Sequence, residues 1–294
     1  VTDSAYENTV DSVGPVNPVV DLENSTVNPS LALIYNISPE LSAFGKYSTA
    51  FRSPTHSELN TAHGNRFRGY YYLANPDLKP ETSDNYEFGL KGDYSKLDFS
   101  LVSFISKYED LIEDKSTRTG TDCTALIRRP CDVIVPSNVE DAEIWGIELN
   151  SEYNFKEDKT GFTLISSVAY SRGDNTSGTE DKELTSIEPF KAILGLRYTD
   201  VDNKWSAELT NTYVGDARTT TALEDNPSKS YSVLDLTSVF NVNERLSVDL
   251  GIFNLNDTRY FNYSTVKSQN SSSADINRFS EPGRNVKAGF KFIF

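Results

Sequence analysis

Residues 284–294 read RNVKAGFKFIF, a stretch with one apolar face and one mostly polar face. Apolar side chains occupy every second position from Val286 to Phe294, and Lys287 and Lys291 lie between them. A period of two residues places successive side chains on opposite sides of the backbone, which is the geometry of a β-strand. The stretch therefore predicts a strand with different surroundings on its two faces.

The same alternation recurs along the chain and predicts an all-β fold of about eleven strands. A high content of aromatic residues, 16 Tyr and 16 Phe, with no Met, also favours strands. Most of the predicted strands exceed the length of about five or six residues that is usual in globular sheets, and they can cross a bilayer at a tilt. The other ten predicted strands span residues 29–37, 40–50, 84–94, 97–110, 143–155, 161–172, 190–198, 205–213, 234–240 and 246–255.

Short and long connections alternate between these strands. The short turns are 38–39, 94–96, 156–160, 200–203 and 241–245, and the long loops are 51–83, 115–142, 173–187, 216–229 and 256–283. This alternation is the plan of an antiparallel transmembrane β-barrel of the outer membrane, with short periplasmic turns and long extracellular loops. Phe294, at the end of an alternating strand, resembles the usual last residue of such barrels.

A large soluble β-sandwich or adhesin is the alternative, because a period of two does not distinguish lipid from a protein core. The barrel interpretation assigns the two faces of the sheet. The residues predicted to contact lipid are Leu194, Val248, Leu250, Val286, Phe290 and Phe292. The residues predicted to face inward are Glu208, Asp235, Asp249, Lys287 and Lys291.

Composition excludes several classes of protein. The 294 residues include 43 Asp and Glu against 28 Lys and Arg, so the formal net charge is −15. This acid excess repels nucleic-acid phosphates, and no stretch concentrates enough basic residues to overcome it. A run of about 18 apolar residues, as a transmembrane helix needs, is absent from the sequence. No enzyme motif is present, since no His lies close in sequence to the Asp/Glu pairs.

Five segments, in this order, resemble signatures of the TonB-dependent outer-membrane receptors. They are FRSPT with a following EL at 51–59, NPDLKPET at 75–82, AEIWGIE at 142–148, FNLNDTRY at 253–260 and PGR at 282–284. In that family a barrel of about 22 strands encloses a separate plug domain. The resemblance covers most of the chain. It implies that residues 1–294 form the C-terminal half of the barrel without the plug, in the outer membrane of a Gram-negative bacterium.

Loop 51–83 holds both histidines of the chain, His56 and His63. Counting strands back from Phe294 on the periplasmic side makes it an extracellular loop. Haem receptors of the family carry a haem-ligating His between the two segments that FRSPT and NPDLKPET resemble. The resemblance thus implies that His63 binds the haem iron, and a slightly short spacing from Phe51 leaves His56 as the other candidate. A neutral imidazole can bind ferric haem axially.

Neighbouring side chains complete the predicted haem site. Aromatic rings would shield the flat faces of the porphyrin, and arginines would pair with its propionates. An exposed histidine without a ligand and a tyrosine girdle at the membrane interface are the alternatives. The predicted haem-binding residues besides the histidines are Tyr71, Tyr72, Arg66 and Arg68, with Phe67 and Tyr70 beside them.

Two further features have structural interpretations. Cys123 and Cys131 lie in a polar stretch, where a small disulfide in an oxidising compartment suits them better than a zinc site that needs two more ligands. The two prolines of NPDLKPET favour an extended turn that leads into the next strand. Arg52 and Glu81 are accordingly expected to pack the loop and not to contact cargo.

The sequence thus predicts an uptake receptor for haem or a haem protein. In the mechanism implied by the resemblance, extracellular loops capture the cargo and an inner-membrane TonB complex displaces the plug. Haem is the transported ligand, and no permanently bound cofactor is expected. A ferric-siderophore receptor, with aromatic residues instead of a histidine around the ligand, is the alternative within the class. A soluble β-sandwich adhesin is the alternative from another class.

Overall fold

The structure of the chain, a computed structural model, describes residues 19–21, 23–65, 70–118, 132–176, 182–184, 186–217, 228–267 and 275–293. These residues form two compact units. The first, named the loop unit, contains the described residues of Val1–Pro29, Thr49–Asp84 and Lys107–Ala142. The second, named the sheet unit, contains those of Ser30–Ser48, Asn85–Ser106 and Glu143–Phe294. Within the described ranges, no helix is long and apolar enough to cross a membrane.

Strands account for most of the described residues. They are β1 (Ser30–Asn36), β2 (Leu41–Arg52), β3 (His63–Asn65), β4 (Tyr70–Tyr72), β5 (Glu81–Asp93), β6 (Leu97–Arg118), β7 (Asp132–Asn154), β8 (Gly161–Asn175), β9 (Lys182–Glu183), β10 (Lys191–Thr199), β11 (Trp205–Val214), β12 (Tyr231–Asn243), β13 (Leu246–Phe253) and β14 (Asn285–Phe292). The helices within the described ranges are short: α1 (His56–Asn60), α2 (Tyr263–Val266) and a 3₁₀ helix, Ile276–Phe279.

In the described part of the chain, eleven strands follow one another as hydrogen-bonded neighbours in the order β1-β2-β5-β6-β7-β8-β10-β11-β12-β13-β14. The short strands lie off this path: β3 pairs with β4, β4 runs parallel to β7, and β9 pairs with β8. The path agrees with the eleven predicted strands. Its order follows the sequence because each strand pairs with the next, as in an up-and-down barrel.

One face of the sheet unit is a continuous apolar surface. The register aligns one apolar residue from each of six neighbouring strands in a single row. The row consists of Leu164, Leu196, Leu209, Leu236, Ile252 and Val286. Leu209 in the middle of the row is 42% exposed, so the described residues do not cover this face with a second layer. A contiguous exposed apolar surface marks contact with a membrane or a partner.

Aromatic side chains flank the apolar row at both ends of the strands. Near the short turns, the Tyr198 ring lies 5.2 Å from that of Phe162 and 5.1 Å from that of Trp205. Near the long connections, the rings of Phe190 and Tyr213 are 6.2 Å apart. Trp205 and Tyr213 are separated by about 26 Å along an extended strand. This is close to the apolar band of about 25 Å that lies between the two aromatic girdles of outer-membrane barrels.

The opposite face of the sheet unit carries charged groups. Arg197 Nε lies 2.8 Å from Glu208 Oε2, and Arg197 Nη2 lies 3.6 Å from Glu152 Oε1. Lys287 Nζ lies 5.1 Å above the ring of Phe253. The register confirms the predicted division of faces. Leu194, Val248, Leu250, Val286, Phe290 and Phe292 share the apolar face, and Glu208, Asp235, Asp249, Lys287 and Lys291 share the polar one.

The structure differs from the sequence pattern in the loop unit. β6 continues to Arg118 and β7 begins at Asp132, so strands reach into both ends of the interval 115–142. The interval 51–83 also contains α1, β3 and β4. Residues 107–118 lack the regular alternation of apolar and polar side chains that marks the preceding part of the strand. The backbone ladder therefore continues where the alternation of side chains has ended.

Candidate functional site

One arginine joins the two ends of the loop between β2 and β5. Arg52 ends β2, and its guanidinium contacts Glu81 at the start of β5 in a fork, with Nε–Oε1 at 2.8 Å and Nη2–Oε2 at 3.1 Å. Its third nitrogen, Nη1, contacts both carboxylate oxygens of Glu58 at 3.1 Å. Glu81 also accepts the Ile112 backbone N–H at 2.9 Å. These contacts of Arg52, Glu58 and Glu81, named the Arg52 clamp, confirm the expected packing role.

The helix α1 is fixed to the clamp by its first turn. Thr55 and Glu58 form a capping box, in which the Glu58 carboxylate accepts the Thr55 N–H at 2.6 Å and Thr55 Oγ1 accepts the Glu58 N–H at 3.3 Å. Burial alone would raise the pKa of Glu58. The hydrogen bonds from Thr55 and Arg52 outweigh burial and hold the pKa below its usual value. Glu58 therefore stays charged between its two partners.

Residues 75–79, which lead from the loop into β5, form hydrogen bonds with α1 and with β7. The Asn75 backbone N–H donates to Glu58 O at 2.8 Å, and its side chain donates to Pro136 O at 2.9 Å. The Asn138 side chain binds both backbone groups of Lys79. Asn138 Oδ1 accepts the Lys79 N–H at 2.9 Å, and Asn138 Nδ2 donates to Lys79 O at 3.0 Å. The NPDLKPET segment is therefore an extended structural turn, as its prolines predict.

His63 lies on a small hairpin formed by β3 and β4. In the register of the hairpin, His63 is opposite Tyr72. Their ring centroids are 5.2 Å apart with planes inclined by 22°, and the Tyr70 ring meets the imidazole edge-on at 6.3 Å. His63 is exposed, and its ring nitrogens have no hydrogen-bond partner among the described residues. The structure thus brings His63 together with Tyr70 and Tyr72.

Tyr71 lies on the other side of the hairpin. Adjacent residues of a strand point to opposite faces, and the Tyr71 side chain is 8% exposed. Its ring covers Gly64 so closely that a Cβ atom at that position would overlap it. The Tyr71 hydroxyl is buried without a hydrogen-bond partner in the described ranges. The structure therefore separates Tyr71 from Tyr72, although the sequence placed both at one site.

His56 occupies a different element. It is the first residue of α1, and its Nδ1 lies 3.3 Å from the Nδ2 atom of Asn60 one turn later. The Asn60 amide also binds the backbone of Val20, with Oδ1 accepting its N–H at 2.7 Å and Nδ2 donating to its O at 3.0 Å. One ring nitrogen of His56 is thus occupied by a contact within the loop unit.

Part of the predicted site lies outside the described residues. This applies to Arg66, Phe67 and Arg68, and to the cysteines Cys123 and Cys131. Propionate pairing and the disulfide stay predictions. In the ranges that the structure covers, no cluster of three or more His, Cys, Asp or Glu side chains is arranged to hold a metal ion.

Asp114 is a site residue that the sequence reasoning missed. Its Oδ1 accepts a hydrogen bond from Tyr72 Oη at 3.0 Å, across 42 residues of chain. The sequence pattern ended the strand before Asp114 and assigned this residue to no element. A contact between residues so far apart in sequence depends on how the strands pair, and no local sequence pattern predicts it.

The signatures near the end of the chain form a second structural motif, within the sheet unit. Asn254 is 2% exposed, and its Nδ2 donates to Thr258 O at 2.8 Å and Pro282 O at 3.2 Å. Asp257 Oδ1 accepts the Arg284 backbone N–H at 2.8 Å. The FNLNDTRY and PGR segments therefore fold onto each other, and these polar residues stabilise the turn.

An apolar row between two aromatic girdles, a charged opposite face, and alternating short and long connections define a transmembrane β-barrel of the bacterial outer membrane. The family model described as "TonB dependent receptor-like, beta-barrel" matches residues 3–255. The chain therefore belongs to the TonB-dependent receptor family, in its β-barrel part. This family consists of transport receptors, not enzymes.

Several known proteins are similar to the chain. Hemoglobin-haptoglobin utilization protein B of Neisseria meningitidis serogroup A is 28% identical over 288 residues, which cover 85% of this chain and 35% of that protein. The vitamin B12 transporter BtuB of Photobacterium profundum is 30% identical over 250 residues, covering 82% and 36%. The solved copper transporter OprC has a TM-score of 0.69 at 22% identity, covering 91% and 39%, and this likeness concerns the fold alone. The chain spans about a third of the length of these curated relatives.

Proposed function

We propose that the intact receptor takes up haem, free or from a haem protein, across the outer membrane. Its extracellular loops capture the cargo. The TonB complex of the inner membrane then displaces a plug domain inside the barrel and supplies the energy for passage of the cargo. The cargo is not chemically changed, so the mechanism requires binding, shielding and release, and no permanently bound cofactor.

The observation that carries this proposal is the environment of His63. The imidazole is exposed, its nitrogens are unoccupied by the described residues, and two tyrosine rings contact it. A histidine nitrogen is a usual axial ligand of haem iron. The similarity to a protein named for hemoglobin-haptoglobin utilization supports the same cargo. His56 is the weaker ligand candidate, because one of its nitrogens already faces Asn60.

Each side chain of the hairpin has a role in this proposal. His63 supplies a nitrogen to the iron, and the rings of Tyr70 and Tyr72 contact the imidazole that supplies it. Arg66 and Arg68 pair with the propionates through charge-assisted hydrogen bonds. Tyr71, whose side chain is buried on the opposite face of β4, packs against Gly64 of the hairpin.

Replacement of His63 by Ala in the full-length receptor should remove one axial ligand. The affinity for ferric haem should fall about tenfold or more, the Soret band should shift, and growth on haem iron should slow. Barrel assembly should be unchanged, because an exposed loop residue contributes little buried area. Titration of the purified receptor with ferric haem, followed by absorption spectroscopy, measures the first two effects.

His56→Ala is the matched control, since it removes the other histidine of the same loop. It should leave affinity and the Soret band unchanged, and a reversal of the two results would make His56 the ligand. If both single variants and the double variant bind haem and grow on haem iron like the wild type, the haem assignment is wrong. A ferric siderophore surrounded by aromatic side chains would then be the better assignment.

A further inference from the structure

The hydroxyl end of Tyr72 is held by a carboxylate from a distant strand. Tyr72 Oη donates a hydrogen bond to Asp114 Oδ1 at 3.0 Å. Tyr72 lies on β4 and Asp114 near the end of β6, so the contact joins two separate parts of the loop unit. A hydrogen bond to an ionised acceptor is stronger than a neutral one. Asp114 therefore anchors the far end of the Tyr72 ring.

The Tyr72 ring in turn supports the imidazole of His63. The two residues are opposite each other in the hairpin register, and their rings are stacked at 5.2 Å. Tyr70 touches the same imidazole from the edge. Stacked cross-strand rings restrict each other's orientation. The plane of the imidazole consequently depends on a ring whose other end is fixed by Asp114.

We propose that Asp114 is a positioning residue for cargo binding: its carboxylate fixes the Tyr72 hydroxyl, and the Tyr72 ring fixes the plane of His63. This inference rests on the proposed function, because the role exists only if His63 binds the cargo iron. Ligating histidines are generally oriented by groups outside the first coordination shell. In this hairpin the orienting carboxylate does not bind an imidazole N–H. It binds the Tyr72 hydroxyl, and the Tyr72 ring stacks on the imidazole.

A double-mutant cycle in the full-length receptor, with ferric haem as the probe, tests the inference. Tyr72→Phe keeps the ring and removes the hydroxyl, and Asp114→Ala removes the acceptor. Each variant should bind ferric haem about tenfold more weakly and shift the Soret band. The double variant should bind no more weakly than either single variant, because both changes break one contact.

Two further variants separate positioning from folding. Asp114→Asn retains an oxygen acceptor and should recover most of the affinity and the wild-type Soret band. Glu109→Gln changes an exposed carboxylate of the same strand and should bind like the wild type. The heat-dependent mobility of the barrel on gels identifies assembled receptor. A variant that is assembled but has an altered Soret band has lost orientation and not its fold.

The outcomes distinguish this inference from the function on which it rests. The positioning role would be wrong if Asp114→Ala binds haem like the wild type, or if the losses of affinity add up in the double variant. In that case His63→Ala would still weaken haem binding, and the proposed function would stand. Unaltered binding and spectrum in His63→Ala would instead overturn the proposed function, whatever the cycle shows.

Discussion

A full-length receptor with Leu209→Arg is expected to lose most of its assembly in the outer membrane. Leu209 lies in the middle of β11, midway between Trp205 and Tyr213, and its register partners are Leu196 and Leu236. It is therefore at the centre of the apolar band. An arginine facing lipid at that depth destabilises a barrel by about 2–4 kcal/mol. That is a large part of a typical folding free energy of about 5–15 kcal/mol.

The adjacent position provides the matched control. Thr210 lies on the polar face, opposite Asp235 in the register, and its hydroxyl donates to Glu208 at 2.9 Å. An arginine at Thr210 meets carboxylates instead of lipid, so Thr210→Arg should assemble normally. The heat-dependent gel mobility of outer-membrane fractions measures assembly of both variants. Equal assembly of the two would show that the apolar face does not contact lipid.

The faces of the sheet were predictable because lipid and lumen impose opposite requirements on successive residues. Val248 and Leu250 alternate with Asp249, and the paired strand repeats the pattern with Phe290 opposite Val248. One slip of register would place a carboxylate in lipid. The side-chain pattern therefore determines the pairing wherever a strand crosses the membrane.

The loop unit could not be predicted in the same way. Residues 107–118 remain in a strand although they lack a regular apolar alternation. The clamp joins Arg52 to Glu81 across 29 residues, and Asp114 meets Tyr72 across 42. Such pairs follow from how strands are arranged and not from local spacing.

The tyrosines of β4 did carry a usable signal. Successive strand residues face opposite sides, so three adjacent tyrosines do not share one face of the strand. Period two already groups Tyr70 with Tyr72 and separates Tyr71, as the structure shows. Applied to short loop strands, the rule indicates that Tyr70 and Tyr72, and not Tyr71, contact His63.

Arg52→Ala is expected to loosen the base of the loop while the barrel still assembles. Arg52 is the only clamp member with positive charge, and the side chains of Glu58 and Glu81 are 19% and 13% exposed. Removal of one partner from a buried pair costs about 3–5 kcal/mol, and the 38% exposure of the Arg52 side chain reduces this to about 2–3 kcal/mol. The pKa of Glu58 should rise, since Arg52 contributes to lowering it.

Hydrogen–deuterium exchange of the full-length receptor measures this loosening directly. Amides of α1 and of the first residues of β5 should exchange faster in Arg52→Ala, while those of β11 to β14 should be unchanged. Arg52→Lys keeps the charge but not the two parallel hydrogen bonds to Glu81, so an intermediate effect is expected.

Lys79→Ala is the control, because Lys79 forms an exposed ion pair with Asp110 at 3.6 Å and such pairs contribute about 0–1 kcal/mol. Equal protection of α1 in Arg52→Ala and Lys79→Ala would show that the clamp does not hold the loop. Faster exchange confined to α1 and β5 would instead identify Arg52 as the residue that joins α1 to the start of β5.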